Sequence, residues 1–232
     1  MADPPDILSL RSVEYRWRGT QSFGLSVPHF RVGRSETVLL LGQSGSGKST
    51  LLSLICGTLS AASGQIRVAG ADIAKMRDAQ RDLFRAEHIG LIFQQFNLLP
   101  YATVIDNVLL PLTFARERRA RVSDPVAEAR ALCCALGLAE RELSVPAAKL
   151  SVGQQQRVAA ARALIGMPPL IIADEPTSAL DAGTQAAFLN LLFDQVRAQK
   201  SALLMVSHDP GLRKDFDRVV EMRDIATAGI GV

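Results

Sequence analysis

Three short apolar runs punctuate the chain: VLLL at 38–41, LIIA at 170–173 and ALLMV at 202–206. None alternates with polar residues, so each predicts a strand buried on both faces, as in a parallel sheet covered by helices. Before the first run, residues 7–17 alternate imperfectly and predict a strand with Val13, Tyr15 and Trp17 on one face. Residues 23–32 predict a second strand, interrupted by Pro28, which points to an edge or a bend. A shorter strand over 65–69 follows Ser63-Gly64 and closes at Gly70, and the charged residues after it predict a helix around 77–85.

Residues 89–93 form another apolar strand, ending in Gln94-Gln95, and beyond it the hydrophobic period becomes helical. Helices are expected over 104–112 and 124–138, joined by a solvated basic link, RERRAR, at 116–121. Ser123-Asp124-Pro125 opens the second with a cap and a first-turn proline, and Gly137 marks its end. A further helix starts near Gln154 behind a Ser151 cap, with Val158, Ala161, Leu164 and Ile165 at helical spacing; Gly166 and Pro168-Pro169 stop it. The last third returns to mixed character, with a helix over 182–199, a short helix from Pro210 and a strand over 218–222. The tail after Asp224 is small and apolar, too short for a regulatory domain.

This order describes an α/β protein of one domain over 1–232. The core takes about 1–94 and 166–232, and a helical subdomain of about 95–165 is inserted in it. Composition is ordinary for a globular chain, 48% hydrophobic and 21% charged, and a net charge of +3 is too small to imply a nucleic-acid partner. Cys56, Cys133 and Cys134 lack metal-ligand spacing and read as free thiols in a reducing compartment, the latter two as core of a helix. The start, MADPPDILSL, has no basic region leading into an apolar one, and no apolar run approaches the roughly 20 residues that span a bilayer. A soluble protein is expected, with any membrane role supplied through a partner.

Chemistry enters at the polar ends of the buried strands. The first run leads into GQSGSGKST, Gly42 to Thr50, which fits G-x-x-x-x-G-K-[ST] between a strand and a helix. The residues Gly42, Gln43, Ser44, Gly45, Ser46 and Gly47 can turn successive N–H groups inward as an anion nest. Lys48 adds charge for the β- and γ-phosphates, and Ser49 and Thr50 open the helix, with Ser49 placed to ligate Mg²⁺. The second run ends in Asp174-Glu175: Asp174 can hold Mg²⁺, and Glu175 can orient or deprotonate an attacking water. The third ends in Ser207-His208-Asp209, where His208 can hydrogen-bond a γ-phosphate. Gln94, also after an apolar strand, offers a neutral amide to Mg²⁺ and to water. The small Ser-x-Gly entrance of LSVGQ at 150–154 leaves helix N–H groups open to a second anion.

The combination resembles the nucleotide-binding subunit of an ATP-binding-cassette (ABC) transporter. GQSGSGKST, FQQFNLLP, LSVGQ, LIIADEP, SALD and SHD occur in that family's order and cover nearly the whole chain. The resemblance implies a P-loop NTPase (RecA-like) core with an N-terminal antiparallel β subdomain and an inserted helical subdomain. It implies ATP and Mg²⁺ as cofactors, with catalysis by Glu175, His208 and Gln94 and metal held by Ser49, Gln94 and Asp174. It also implies pairing with a second, identical nucleotide-binding subunit head to tail. Ser151, Gly153 and Gln154 would then meet the nucleotide across the interface, and Asp181 would link the two sites. The family stacks adenine on an aromatic residue four positions after a valine; Val13 puts Trp17 there, with Tyr15 the alternative. One departure is Val152 where the family's usual signature, LSGGQ, has glycine.

Residues 89–112, with EMRD near the C-terminus, most resemble the branch of lipoprotein-releasing, macrolide-export and cell-division ATPases. By that likeness a membrane permease docks near Gln94 to Tyr101, with Phe96, Leu98, Leu99 and Tyr101 as groove residues. The protein would then lie on the cytoplasmic face of the inner membrane, driving export of lipoprotein, lipid, drug or peptide. The alternative is a mechanotransmission ATPase that moves a membrane partner without carrying a solute.

Overall fold

The computed structural model describes residues 6–17, 23–178 and 180–230. In chain order its elements are β1 (Leu8–Arg16), β2 (Phe23–Val32), β3 (Thr37–Leu41), α1 (Lys48–Ile55), β4 (Ser63–Val68), β5 (Ala71–Asp72), α2 (Asp78–His88) and β6 (Ile89–Ile92). Then follow α3 (Val104–Leu109), α4 (Arg116–Ala120), α5 (Pro125–Ala135), α6 (Val152–Leu164), β7 (Leu170–Asp174), α7 (Ala182–Ala198), β8 (Ala202–Ser207), β9 (Arg218–Glu221), α8 (Met222–Ile225) and β10 (Thr227–Ile230). The chain forms two compact units, one from Met1–Arg85 with Ala202–Val232, the other Ala86–Ser201.

In the first unit, β10, β2, β1, β4 and β5 form an antiparallel sheet in that order. Beside it in the same unit, β3 runs parallel to β8 and to β9, with Leu41 opposite both Ser207 and Glu221. All five residues of β3 and all six of β8 are buried, which is why neither sequence alternates. The β1 register against β4 shifts between Arg11 and Glu14, where Ser12 has φ 49°. Gly64 packs against that bulge so closely that a Cβ there would lie 2.2 Å from the Ser12 carbonyl oxygen. The bulge moves the buried positions from Leu8 and Leu10 to Val13, and so sets the phase of the aromatic residues that follow.

In this unit β2 runs unbroken through Pro28, which lies beyond the Phe23–Ser26 stretch paired with β10, so the edge position expected of it holds while the interruption does not. The apolar tail after Asp224 is structural, since β10 completes the sheet.

In the second unit, β6 and β7 pair in parallel, with Ile92 opposite Ala173. Gly90 admits the α6 backbone: a Cβ there would stand 2.2 Å from the Ala163 carbonyl oxygen. The helix expected over 104–112 is α3 followed by a 3-10 turn, Leu110–Thr113. Asp124 caps α5 as the sequence suggested, accepting from the N–H groups of Val126 and Ala127 at 3.1 Å. Cys133 is buried, whereas Cys134 is exposed rather than part of the core. Its neighbour on the helix takes the inward face, and the 3.6-residue period carries Cys134 about 100° away from it.

The basic link is the larger correction. Residues 116–120 are helical, and Arg118 is only 2% exposed. Its guanidinium donates to the carbonyls of Ile165 (2.6 Å) and Ala163 (2.7 Å) at the end of α6, and more weakly to those of Ala86, Ile89 and Arg162. The last turn of a helix leaves carbonyls unpaired and carries partial negative charge, so a buried cation is well matched there. Glu87, also buried, accepts from the N–H groups of Glu117 and Arg118 and so fixes the start of α4. Burial lowers the Arg118 pKa to about 10, which leaves it charged at neutral pH.

Candidate functional site

In the first unit the turn from β3 to α1 has to be built from glycine. Gly45 (φ 80°) and Gly47 (φ 95°) lie in the left-handed region, which side chains strain to occupy. Gly42 is constrained by space instead: a Cβ would come 2.7 Å from Ser46 Oγ and 3.0 Å from Met222 Cβ. A Cβ on Gly47 would approach Leu25 Cδ1 at 2.9 Å, with Ala228 Cβ and Met222 Cε at 3.5 Å. The loop is therefore backed by β2, β10 and α8. α1 opens at Lys48 with no side-chain cap and no acidic residue in its first turn, leaving its N-terminal N–H groups to an outside acceptor.

Lys48 is buried and folds over the loop, its Nζ donating to the carbonyls of Gly42 (2.6 Å) and Gln43 (2.9 Å). The Ser46 hydroxyl oxygen is buried without a hydrogen-bond partner, whereas Gln43, Ser44, Gly45 and Ser49 face solvent and Thr50 is half-buried. A cavity of about 310 Å³ opens beside the loop, lined by Gly42, Gln43, Ser46, Glu221, Met222 and Arg223. An uncapped helix start, a buried ammonium and an orphaned hydroxyl around a side-chain-free turn fit a chain of phosphates. Met222 drew no attention as a support for this loop, because nothing local in EMRD announces contact with residues so distant in sequence.

The parallel register carries a second group to the same edge of this unit. Leu41 and Ser207 are opposite one another, so Gly42 and His208 leave neighbouring strands at adjacent carboxyl ends. His208 is exposed, on a turn held by Ser207 Oγ accepting from the Asp209 N–H (3.0 Å) and by Asp209 accepting from the Gly211 N–H (2.8 Å). Trp17, 46% exposed, meets half-buried Tyr15 edge to face, with ring centroids 5.4 Å apart.

The second unit repeats the pattern on β6 and β7. Asp174 ends β7 and is half-buried, and Glu175 follows with φ 42°, an unusual conformation for a residue with a side chain. Such strain persists where surroundings enforce it and is concentrated at functional sites. Here buried Gln156 of α6 donates from Nε2 to the Pro176 carbonyl at 2.6 Å, holding the turn that contains Glu175. Gln94 lies exposed just beyond β6, the strand paired with β7.

At the start of α6, Ser151 Oγ accepts from the Gln154 N–H (3.3 Å) while Gln154 Oε1 accepts from the Ser151 N–H (2.8 Å). This reciprocal cap explains why α6 begins at Val152 rather than near Gln154. Gly153 is open, since a Cβ there would meet only Thr184 Cγ2 at 3.9 Å, and Val152 is exposed. Asp181 caps α7, accepting from the Thr184 N–H (3.0 Å) and hydroxyl (2.7 Å), and these bonds lower its pKa. Within SALD, Ala179 lies outside the described residues, as do the first five residues of the chain.

A glycine-built cradle at a strand–helix turn, with a lysine folded into it, defines a P-loop nucleotide-binding protein. The family follows from comparison: the chain belongs to the ABC transporter family, whose model matches residues 25–178. An uncharacterized ABC transporter ATP-binding protein of Mycobacterium tuberculosis is 40% identical over 94% of this chain and 87% of its own length. The lipoprotein-releasing system ATP-binding protein LolD of Xanthomonas axonopodis pv. citri is 39% identical over 82% of this chain and 77% of its own. Among solved structures, the dimeric bacterial ABC transporter cassette MJ0796 superposes with a TM-score of 0.82 at 32% identity, covering 92% of this chain and 93% of that one. A second dimer of that cassette, in a post-hydrolysis state bound to ADP and Pi, gives a TM-score of 0.76 at the same identity and coverage. The protein is thus an ATP-binding subunit of the ABC transporter class and an ATPase, with the P-loop NTPase fold that the motifs implied.

Proposed function

We propose that two copies of this chain pair head to tail on ATP and that their closure and hydrolysis drive a separate membrane permease. The observation that carries this reading is the presence of two anion-ready helix starts in one chain. One is α1 with Lys48, and the other is α6 with its open Gly153. A single nucleotide needs both only when the second comes from a partner. Gln43 to Thr50 wrap the phosphates, Lys48 neutralises the β- and γ-groups, and Trp17 stacks on the base. Ser151, Gly153 and Gln154 of the partner copy meet the γ-phosphate, and Asp181 relays closure between sites.

Ser49, Gln94 and Asp174 would hold a magnesium ion, which when bound neutralises phosphate charge as the β–γ bond breaks. No group of three or more His, Cys, Asp or Glu among the described residues could form a metal site. That suits a cation that keeps water and phosphate ligands. Glu175, held in its turn, orients the attacking water and accepts its proton, and His208 donates to the γ-phosphate.

No helix among the described residues is long and apolar enough to cross a membrane, and in this reading the membrane permease is a partner. It docks in a groove of about 350 Å³ that includes Gln95, Phe96, Leu98 and Pro100, at the cytoplasmic face of the inner membrane. Among the relatives, LolD is named for lipoprotein release, which supports lipoprotein or lipid export as the transport class.

The Glu175→Gln variant tests the mechanism. It should bind ATP, lose at least 100-fold in turnover, and run as a dimer in size-exclusion chromatography with ATP. A variant that stays monomeric with ATP, or that turns over normally, would refute the paired site or the role of Glu175 respectively.

A further inference from the structure

The Gln154 side chain that closes the start of α6 is held from its other side as well. Its Nε2 donates to Glu142 Oε1 at 2.7 Å, and Glu142 Oε2 accepts from the Ala139 N–H at 2.8 Å. Glu142 ends a 3-10 turn, Glu140–Glu142, that runs into buried Leu143, whose carbonyl accepts from the Ile105 N–H of α3 at 3.2 Å. The carboxylate is therefore anchored independently of Gln154. Both side chains are half-buried, and the bond between them is short and charge-assisted.

A primary amide has one accepting end and one donating end of nearly equal size. Gln154 has to turn the accepting end to the Ser151 N–H, since a backbone N–H can only donate. The opposite end then needs an acceptor, and an ionised carboxylate can only accept. Glu142 thus selects one of the two amide orientations. With the amide turned round, its NH2 group would face the Ser151 N–H and the cap would open. The choice decides what the first turn of α6 offers to an anion. The N–H groups of Ser151 and Gln154 are consumed in the cap, and those of Val152 and Gly153 stay open to an outside acceptor. The Ser151 hydroxyl accepts from Gln154 and keeps its own hydrogen to donate.

We propose that Glu142 is a positioning residue of the ATPase. By fixing the Gln154 amide it sets the donors that one copy presents to the γ-phosphate held by the other. The inference rests on the reading that this helix start meets ATP across a dimer, and it adds to that site a residue upstream of LSVGQ.

ATP-driven dimerisation of the full chain in the Glu175→Gln background, followed by sedimentation velocity, tests it. Glu142→Ala should weaken the dimer about tenfold, because each dimer holds two such helix starts, while monomer affinity for ATP stays within about twofold. Glu142→Gln should also weaken it, since one amide oxygen cannot serve both Ala139 and Gln154. The sign should reverse once Gln154→Glu is present. An amide at 142 then accepts from Ala139 and donates to the carboxylate at 154, which accepts from the Ser151 N–H. Relative to Gln154→Glu alone, adding Glu142→Gln should tighten the dimer about threefold or more. Adding Glu142→Ala, which removes the same charge without making the bond, should not.

The assignment is overturned if Glu142→Gln acts with one sign in both backgrounds, if Glu142→Ala rescues equally well, or if monomer affinity for ATP falls as far as dimerisation. Should these dimers be too weak to measure, amide exchange of the unliganded chain decides. The Ser151 N–H should exchange about tenfold faster in Glu142→Ala or Glu142→Gln than in the native chain, and an unchanged rate overturns the role. Failure of Glu175→Gln itself to dimerise on ATP would count against the proposed function instead, and Ser151 exchange would still decide the role of Glu142.

Discussion

Replacing Arg118 by methionine keeps the aliphatic stem and removes the buried guanidinium. Two opposing terms set the outcome. Burial lowers the pKa from 12.5 to about 10, so the charge resides there at a cost of about 3 kcal/mol relative to water, which the substitution relieves. Against that, two short charge-assisted hydrogen bonds to Ala163 and Ile165 are lost, worth about 3–6 kcal/mol together. The carbonyls they served are left buried, at about 1–3 kcal/mol each. The second group is larger, so Arg118→Met should destabilise by about 2–4 kcal/mol, since the terms overlap and the site relaxes. For a chain of 232 residues this is a fall in Tm of about 5–15 °C. Urea unfolding followed by circular dichroism, with calorimetry for Tm, measures it. A variant within 0.5 kcal/mol of the parent, or more stable, would show that the desolvation cost dominates and that the carbonyls find other partners.

Three further outcomes are expected. Val152→Gly should raise turnover at similar ATP affinity, because an exposed β-branched side chain at the α6 start opposes close approach of a partner; unchanged or reduced turnover would remove the concern. Trp17→Ala should raise KM for ATP about five- to tenfold, from about 1 kcal/mol of stacking, with little change in Tm; an effect from Tyr15→Ala alone would move the assignment to Tyr15. Burial pushes the Cys133 thiol up to about 12, whereas in the unfolded chain it titrates near 9. Its stabilising contribution is therefore complete below pH 9 and is lost as pH rises toward 12, by about 1.4 kcal/mol per unit at most. Urea midpoints of the native chain and Cys133→Ala should diverge in slope above pH 9, and parallel slopes would contradict the burial.

Much of the fold was readable because its signals are local. VLLL, LIIA and ALLMV carry no polar residue and are too short for a helix, so a strand buried on both faces was the natural reading. The phosphate loop declares itself by spacing, and Ser151 and Asp124 declare helix starts by residue type. What stayed hidden is long-range. Arg118 is one of four arginines in RERRAR, and only the fold determines that its position faces the end of α6 while Arg116, Arg119 and Arg121 face water. Ser12 and Glu175 adopt positive φ without being glycine or asparagine, so the bulge in β1 and the turn after Asp174 had no marker in residue type. The strand β10 was missed because it is only four residues long with Ala228 and Gly229 at its centre, and its pairing with β2 supplies what those two residues do not.

The backing of the phosphate loop also bears on how the protein is made. Gly42 rests on Met222, and Gly47 lies against Leu25, Ala228 and Met222. Two of those three supports are synthesised long after the loop. A nascent chain that already contains α1 has Leu25 but still lacks the Met222 and Ala228 surfaces against which its glycines pack. The loop and its backing are thus made at opposite ends of synthesis, and the chain must be nearly whole before the two can meet.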